Sequence, residues 1–430
     1  MRLGGRLQAA AEILADIEKR KRPVADALKD WGLSHRFAGS GDRAGIGNLV
    51  YDVLRQRLSL GFLAGSDDPL LLGYALLLRR WGFDAEKLKA DFVEDKFAPA
   101  FPDDETIQSI LTRDLKHAEE HVQADIPEWV APSFEANFSE DWIREAAAFA
   151  KRPPLDIRVN TLKSTQEKVL KQLQKTGAKR AEIARHGLRI VSDKPFARQP
   201  NVQAEEAFQK GRFEIQDQGS QIVSDLIFAR PGETILDFCA GAGGKSLSLS
   251  AAMENKGQIH AYDIDKSRLA PIHDRLKRAG TRNVQVHSPD SDLSSLVGRM
   301  DKVVVDAPCT GTGTWRRRPD AKWRLDQKNL EERLQQQEEV LSEAAPFVKP
   351  GGHMIYITCS VLPEENENQV YAFTEDNPEF ELVSAGEVWE DLFGYDKPAP
   401  WSSDMKTVTL TPASTNTDGF FFAVMERKAG

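Results

Sequence analysis

Cysteine is scarce in this chain, with three in 430 residues, too few for a disulfide framework. Such usage fits a reducing compartment, where each thiol is either inert core or chemistry. Long apolar runs are missing as well. The longest, over residues 70–78, is far short of the ~20 residues that a membrane span needs. The opening Met-Arg-Leu-Gly-Gly-Arg-Leu-Gln lacks the apolar stretch of a secretion signal. There is no internal repeat and no low-complexity tract. Positive charge is not in excess, since 57 Lys and Arg stand against 66 Asp and Glu, a net charge of −9. That excludes a uniformly basic, histone-like binder, yet a local basic patch can still act inside an acidic chain. These absences describe a cytoplasmic protein without membrane or metal partners, monomeric by default. Its length exceeds the roughly 100–200 residues of one ordinary domain, so two or three are expected.

What is present changes character along the chain. Residues 1–125 read as all-helical: Leu7, Ala10, Ala11, Leu14 and Ile17 recur at helical spacing, as do Ile46, Leu49, Val50, Val53 and Leu54. Asp67-Asp68-Pro69 is suited to starting a helix over 70–81. The arginines of this region (Arg2, Arg6, Arg20, Arg22, Arg43, Arg55, Arg57) suit either a solvated helix surface or RNA contact. A loop rich in Pro and aromatics, Ile126-Pro127-Glu128-Trp129, opens a second region, 126–205. There, strand candidates at 155–159 and 187–191 indicate a small α+β module. In the third region, 206–430, strands alternate with helices. The strand candidates are 234–238, 258–263, 283–287, 302–306 and 353–358, with a long polar helix over 326–345 and a Lys349-Pro350-Gly351-Gly352 turn before the last strand. This grammar predicts a doubly wound, Rossmann-like α/β sheet whose ligands sit at the carboxyl ends of its strands.

Directly after the first of those strands comes a glycine-rich turn, Cys239-Ala240-Gly241-Ala242-Gly243-Gly244-Lys245-Ser246. Glycine lets the backbone approach a ligand closely, and the helix that follows offers unpaired N–H groups. A nucleotide-binding P-loop fails because position 239 is Cys, and a dinucleotide fingerprint starting at Gly241 fails because position 246 is Ser. Asp263 ends the second strand, where a carboxylate can accept from the ribose hydroxyls of an adenosine cofactor.

All three cysteines fall at or just past strand ends: Cys239, Cys309 and Cys359. No Cys-x-x-Cys pair exists and the eight histidines are scattered, so a metal is not expected. Cys239 reads equally well as a buried structural thiol. Asp306-Ala307-Pro308-Cys309 and Thr358-Cys359-Ser360 bring two thiols and an acid to one sheet edge. Such a set suits thiolate addition followed by elimination.

Taken together, Leu236 to Lys245, Asp306-Ala307-Pro308-Cys309 and Thr358-Cys359-Ser360-Val361-Leu362-Pro363-Glu364-Glu365-Asn366 resemble the S-adenosylmethionine-dependent RNA cytosine-5 methyltransferases of the Nol/Nop/Sun type. The bacterial RsmB branch, which acts on 16S ribosomal RNA, is the most similar. The resemblance extends to the module around 155–163, like that family's RNA-recognition-like module, and to residues 1–125, similar to a NusB-like domain. It implies that Cys359 is the nucleophile adding to cytosine C6, that Cys309 assists proton removal or β-elimination, and that Asp306 holds the base edge. Lys245 would lie between cofactor and base. The cofactor, S-adenosylmethionine, would contact Cys239, Ala240, Gly241, Ala242, Gly243, Gly244, Lys245, Asp263 and Asp306, with Asp290 on the adenine side and Asp292 as the neighbouring choice. The chain departs from the family at Ala242, where proline is usual, and in the third-strand acid, which here follows Ser288-Pro289.

Beyond the Pro-Cys loop, Trp315-Arg316-Arg317-Arg318-Pro319-Asp320-Ala321-Lys322-Trp323-Arg324 interleaves five basic residues with two tryptophans. Arg316, Arg317, Arg318, Lys322 and Trp323 are therefore expected to rim the crevice and hold an extruded base. Three other functions compete: a P-loop-like ATPase, a non-enzymatic RNA-binding assembly factor, and a DNA cytosine-5 enzyme, which would promote Cys309 over Cys359. The ATPase leaves Cys309 and Cys359 without a role, and the resemblance favours Cys359 as nucleophile.

Overall fold

A computed structural model describes residues 1–192, 194–394, 397, 400 and 404–429. The chain divides into two compact units: residues 1–153 with 192–199 and 314–325, and residues 154–191 with 200–313 and 326–430. These boundaries differ from the divisions at 125 and 205 read from the sequence.

The first unit is helical among its described residues. Its apolar positions at helical spacing, Leu7, Ala10, Leu14, Ile46, Leu49, Val50 and Val53 among them, form one buried core. Asp68 caps the helix Pro69–Ala75 by accepting from the N–H groups of Leu70 (2.9 Å) and Leu71 (3.1 Å), with Pro69 in the first turn. The stretch expected as one helix over 70–81 then widens into π-type turns over Leu76–Arg80.

The second unit holds two sheets. The smaller contains β1 (Leu155–Val159), β2 (Lys179–Arg180), β3 (Gly187–Ile190) and β4 (Phe213–Ile215), all antiparallel, in the order β2-β3-β1-β4. Ile157, Val159, Leu188, Ile190 and Phe213 pack there against Val169 and Leu173 of the helical segment that crosses the sheet.

The larger sheet contains β5 (Thr234–Asp237), β6 (Gln258–Ala261), β7 (Val284–Val286), β8 (Met300–Asp306), β9 (Val348–Thr358), β10 (Phe380–Val383), β11 (Thr407–Leu410) and β12 (Phe420–Arg427). Its order is β10-β12-β9-β8-β5-β6-β7, with β11 also paired to β12. Strands β5 to β9 are parallel, while β12 runs antiparallel to β9, β10 and β11. The parallel strands are covered on both faces, so Ile235-Leu236, Val303-Val304-Val305 and Met354 to Ile357 are continuous buried runs. Lys349 to Gly352, expected as a turn, lie inside β9. Gly351 takes φ +72° there, and the facing strand shifts register between Met300 and Lys302, so the turn-like sequence is absorbed as a bulge. From β5 the chain leads to β6 on one side, and β8 lies on the other. This reversal opens a crevice at the carboxyl ends of the strands. No helix among the described residues is long and apolar enough to cross a membrane.

Candidate active site

The crevice collects the loops that follow β5, β6, β8 and β9. After β5, the turn is shaped by Gly241 (φ +48°) and Gly243 (φ +79°). A Cβ on Gly243 would sit 2.5 Å from the Ile272 side chain, so only glycine lets the turn close over the helix Ile272–Ala279. The helix Gly244–Ala252 starts from this turn. Asp263, 1% exposed, accepts from Gly241 N–H (2.9 Å) and Asp265 N–H (2.8 Å). Its carboxylate is thereby pinned against the turn. A Cβ on Gly241 would lie 3.8 Å from Asp263 Oδ2, an ordinary contact, so the positive φ and not crowding favours glycine there.

Lys245, on the first turn of that helix, is 4% exposed and donates to Asp306 Oδ2 (3.0 Å) at the end of β8 and to Ser220 Oγ (3.3 Å). Its ammonium also lies 5.4 Å from the centre of the Phe420 ring. Pairing with the lysine fixes the partly exposed Asp306 at the crevice. Ser220 and Phe420 carried no signal in the sequence, because they come from a preceding helix and from the start of β12. Asp237, at the end of β5, was also missed. It accepts from Ser246 Oγ (2.6 Å), and burial pushes its carboxyl up to about 7.

The two thiols expected to act together do meet. Cys309 Sγ lies 3.4 Å from Cys359 Sγ, and both residues are half-buried. The hydrogen bond that Cys309 gives to Cys359, with burial and the Cys359 and Glu365 charges, raises the Cys309 thiol well above its ordinary value. Cys239 packs at the edge of the core below β5, and burial followed by the charges of Asp263, Asp237 and Asp306 raises its thiol likewise. That environment suits an inert thiol. Among the acids after β7, Asp292 is engaged in capping Ser294 N–H (2.8 Å), whereas exposed Asp290 lies close enough for its charge to act on Tyr262, next to β6.

The basic segment is placed differently from expectation. Residues 314–325 belong to the helical unit. Trp315 is 1% exposed and stacks on Phe134, with ring centres 6.0 Å apart. Arg316 is buried and its carbonyl accepts from Arg55 Nε (2.7 Å). Lys322 is buried too, donating to the carbonyls of Arg55 (2.9 Å) and Asp125, while Trp323 Nε1 donates to Leu54 O (2.7 Å). Arg316, Lys322 and Trp323 are therefore engaged in the unit's interior packing instead of rimming the crevice. The tryptophans supply apolar area, and Lys322 satisfies main-chain carbonyls that would otherwise be orphaned. Arg317 is half-buried and Arg318 exposed.

Residues 226–426 match the family described as 16S rRNA methyltransferase RsmB/F, and 126–197 match the RsmF/B-like ferredoxin-like domain. Ribosomal RNA small subunit methyltransferase B of Shigella flexneri is 30% identical over 327 residues, 76% of this chain and 70% of that protein. The chain belongs to the RsmB/F methyltransferase family. The Cronobacter sakazakii protein of the same name is 32% identical over 305 residues, and this chain covers 66% of its length. A methyltransferase homolog from Pyrococcus horikoshii is 29% identical with a TM-score of 0.59, matching 73% of this chain and all of that one. PH0851, at 24% identity and TM-score 0.72 over 99% of both chains, shares the fold. The cofactor of this family is S-adenosylmethionine. The Asp263 carboxylate, held beside the glycine turn by two N–H groups with lone pairs to spare, has the chemistry to accept from its ribose hydroxyls.

Proposed function

We propose that this protein methylates C5 of a cytosine in RNA, with small-subunit ribosomal RNA as substrate, through a covalent adduct to Cys359. The observation carrying this reading is the 3.4 Å approach of Cys309 and Cys359 sulfurs at adjoining strand ends. The Lys245–Asp306 pair at the same crevice supports it. Cytosine C5 is a poor nucleophile until something adds to C6. Cys359 thiolate forms the S–C6 bond, and the ring electrons move to C5. Asp306 accepts from the exocyclic amino group of the base and so orients the ring toward Cys359, and Lys245 holds that carboxylate in place. S-adenosylmethionine, when bound along residues 239–245 and at Asp263, with Asp290 on its adenine side, supplies an electrophilic methyl group. With Cys359 neutral as the thioether, Cys309 releases its proton to solvent and as thiolate takes the C5 proton, and the S–C6 bond breaks as the double bond reforms, returning Cys359 as thiolate and Cys309 as thiol.

Arg317 and Arg318 are the members of the basic segment that this reading keeps as RNA contacts. The helical unit is read as NusB-like, the protein as monomeric and cytoplasmic, and no metal is required. The test is covalent trapping: unmodified protein, Cys359→Ala and Cys309→Ala are incubated with S-adenosylmethionine and small-subunit ribosomal RNA, then resolved on a denaturing gel. Accumulation of a protein–RNA band with Cys309→Ala and its absence with Cys359→Ala is the expected outcome. The opposite pattern exchanges the two thiol roles. No adduct and no methyl transfer with any RNA overturns the assignment in favour of an RNA-binding factor.

A further inference from the structure

Seven residues beyond the Thr-Cys-Ser segment's start lies a carboxylate with no assigned role. Glu365 is fully buried. Its Oε1 accepts from Thr310 N–H (2.8 Å) and Gln337 Nε2 (3.0 Å), and its Oε2 accepts from Thr310 Oγ1 (2.5 Å). Gln337 Nε2 also donates to Pro308 O (2.9 Å). Both peptide groups flanking Cys309 are thus tied to one carboxylate. The other thiol's segment is fastened to the same cluster: Tyr356 OH donates to Glu365 O (2.7 Å), Thr358 Oγ1 to Asn366 Oδ1 (2.6 Å), and Gly313 N–H to Cys359 O (2.9 Å).

Two sulfurs 3.4 Å apart cannot both carry charge, so something must decide which is the thiolate. The charged and titratable groups facing Cys309 are Cys359 at the end of β9, Glu365 on the turn after it, and the Tyr356 phenol from within β9. Two of the donors on Glu365 Oε1, a peptide N–H and an amide N–H, can only donate. This suits the ionised carboxylate, although burial raises its pKa. This anion takes both the N–H and the hydroxyl of the residue that follows Cys309 and, among the described residues, meets the Cys359 segment only through the Ser360 hydroxyl, and its charge repels a negative charge on the Cys309 sulfur.

We propose that Glu365 is the positioning residue of the two-thiol centre, bracing the Cys309 loop against Cys359 and keeping the proton on Cys309 so that Cys359 carries the negative charge. The proposal rests on the methyltransferase reading for its purpose, but the alkylation test does not. Full-length protein and Glu365→Gln are alkylated with iodoacetamide across a pH series without RNA or cofactor, and each cysteine is followed by peptide mass spectrometry. In Glu365→Gln the midpoint for Cys309 should fall by about one pH unit, with a smaller change at Cys359. An unmoved Cys309 midpoint in a folded variant, or equal shifts at both sulfurs, overturns the proposal. Should Glu365→Gln not fold, Gln337→Leu removes the link to Pro308 while leaving the carboxylate. Its methylation kcat should fall about 10-fold with KM for RNA unchanged, and an unchanged kcat overturns the bracing role. An alkylation shift in a protein that methylates no RNA leaves Glu365 in this role and removes the methyltransferase reading instead.

Discussion

Two buried lysines show how similar residues serve opposite ends. Lys245 and Lys322 are 4% and 1% exposed. Lys245 faces Asp306, whose side chain keeps a third of its surface open at the crevice, and no main-chain carbonyl accepts from it among the described hydrogen bonds. Lys322 gives its hydrogens to two carbonyls and lies near Asp125, a carboxyl that burial raises. A buried cation with a half-open acidic partner is poised to act on something that enters. One satisfied by backbone carbonyls holds a segment in place. The contrast teaches that a lysine's partner, more than its burial, marks it as chemistry.

The sharpest way to break this division starts with the sulfurs. Cys359→Ala should lower methyl transfer by on the order of 10³-fold or more with an unchanged melting temperature, measured by radiolabel incorporation into small-subunit ribosomal RNA. Lys245→Met should cost ~10²-fold in kcat while the helical unit stays intact. A loss of folding instead would make Lys245 architectural and erase the contrast.

Lys322→Met should behave in the reverse manner, destabilising by ~3 kcal/mol in denaturant unfolding because Asp125 loses its nearby cation. Burial lowers the folded Lys322 ammonium to about 8, below its ordinary 10.5, with Asp125 opposing the shift. Between those values the unfolded chain holds a proton that the folded chain has released, so this lysine makes stability rise with pH over that window. Lys322→Met should remove the rise; a slope identical to the unmodified protein's would show that Lys322 is not the titrating group. Asp263→Ala should weaken S-adenosylmethionine binding about 10-fold by calorimetry, through lost charge-assisted hydrogen bonds. The smallest effect belongs to Arg318→Ala, which should reduce the slope of log affinity for RNA against log salt by about one or less.

Much of the site was legible because its residues lie at the ends of short apolar strands. Strands β5, β6, β7 and β8 fall where their apolar runs predict, and a parallel sheet delivers all its carboxyl ends to one edge. Cys309 and Cys359, fifty residues apart, could thus be paired from sequence alone, and the sulfurs lie 3.4 Å apart. The antiparallel strands β10, β11 and β12 escaped, although Phe420-Phe421-Phe422-Ala423-Val424-Met425 is a conspicuous apolar run. Nothing local distinguishes such a run from a buried helical turn, and its pairing with β9 spans more than sixty residues. Glu365 stood in view within a quoted motif, but the loop and helix that supply its donors come from elsewhere in the chain.

The basic segment marks the boundary between what composition and tertiary structure decide. By itself the sequence determined the parallel strands, the residues at their carboxyl ends, the glycine turn and the pairing of thiols. Each follows from local periodicity together with the geometry of parallel strands. Only the tertiary structure decided that Arg316 and Lys322 turn inward, that Ser220 meets Lys245, and that one carboxylate holds both flanks of Cys309. The free energy of a charged side chain depends on whether distant carbonyls and acids surround it, and no run of neighbours along the chain records that.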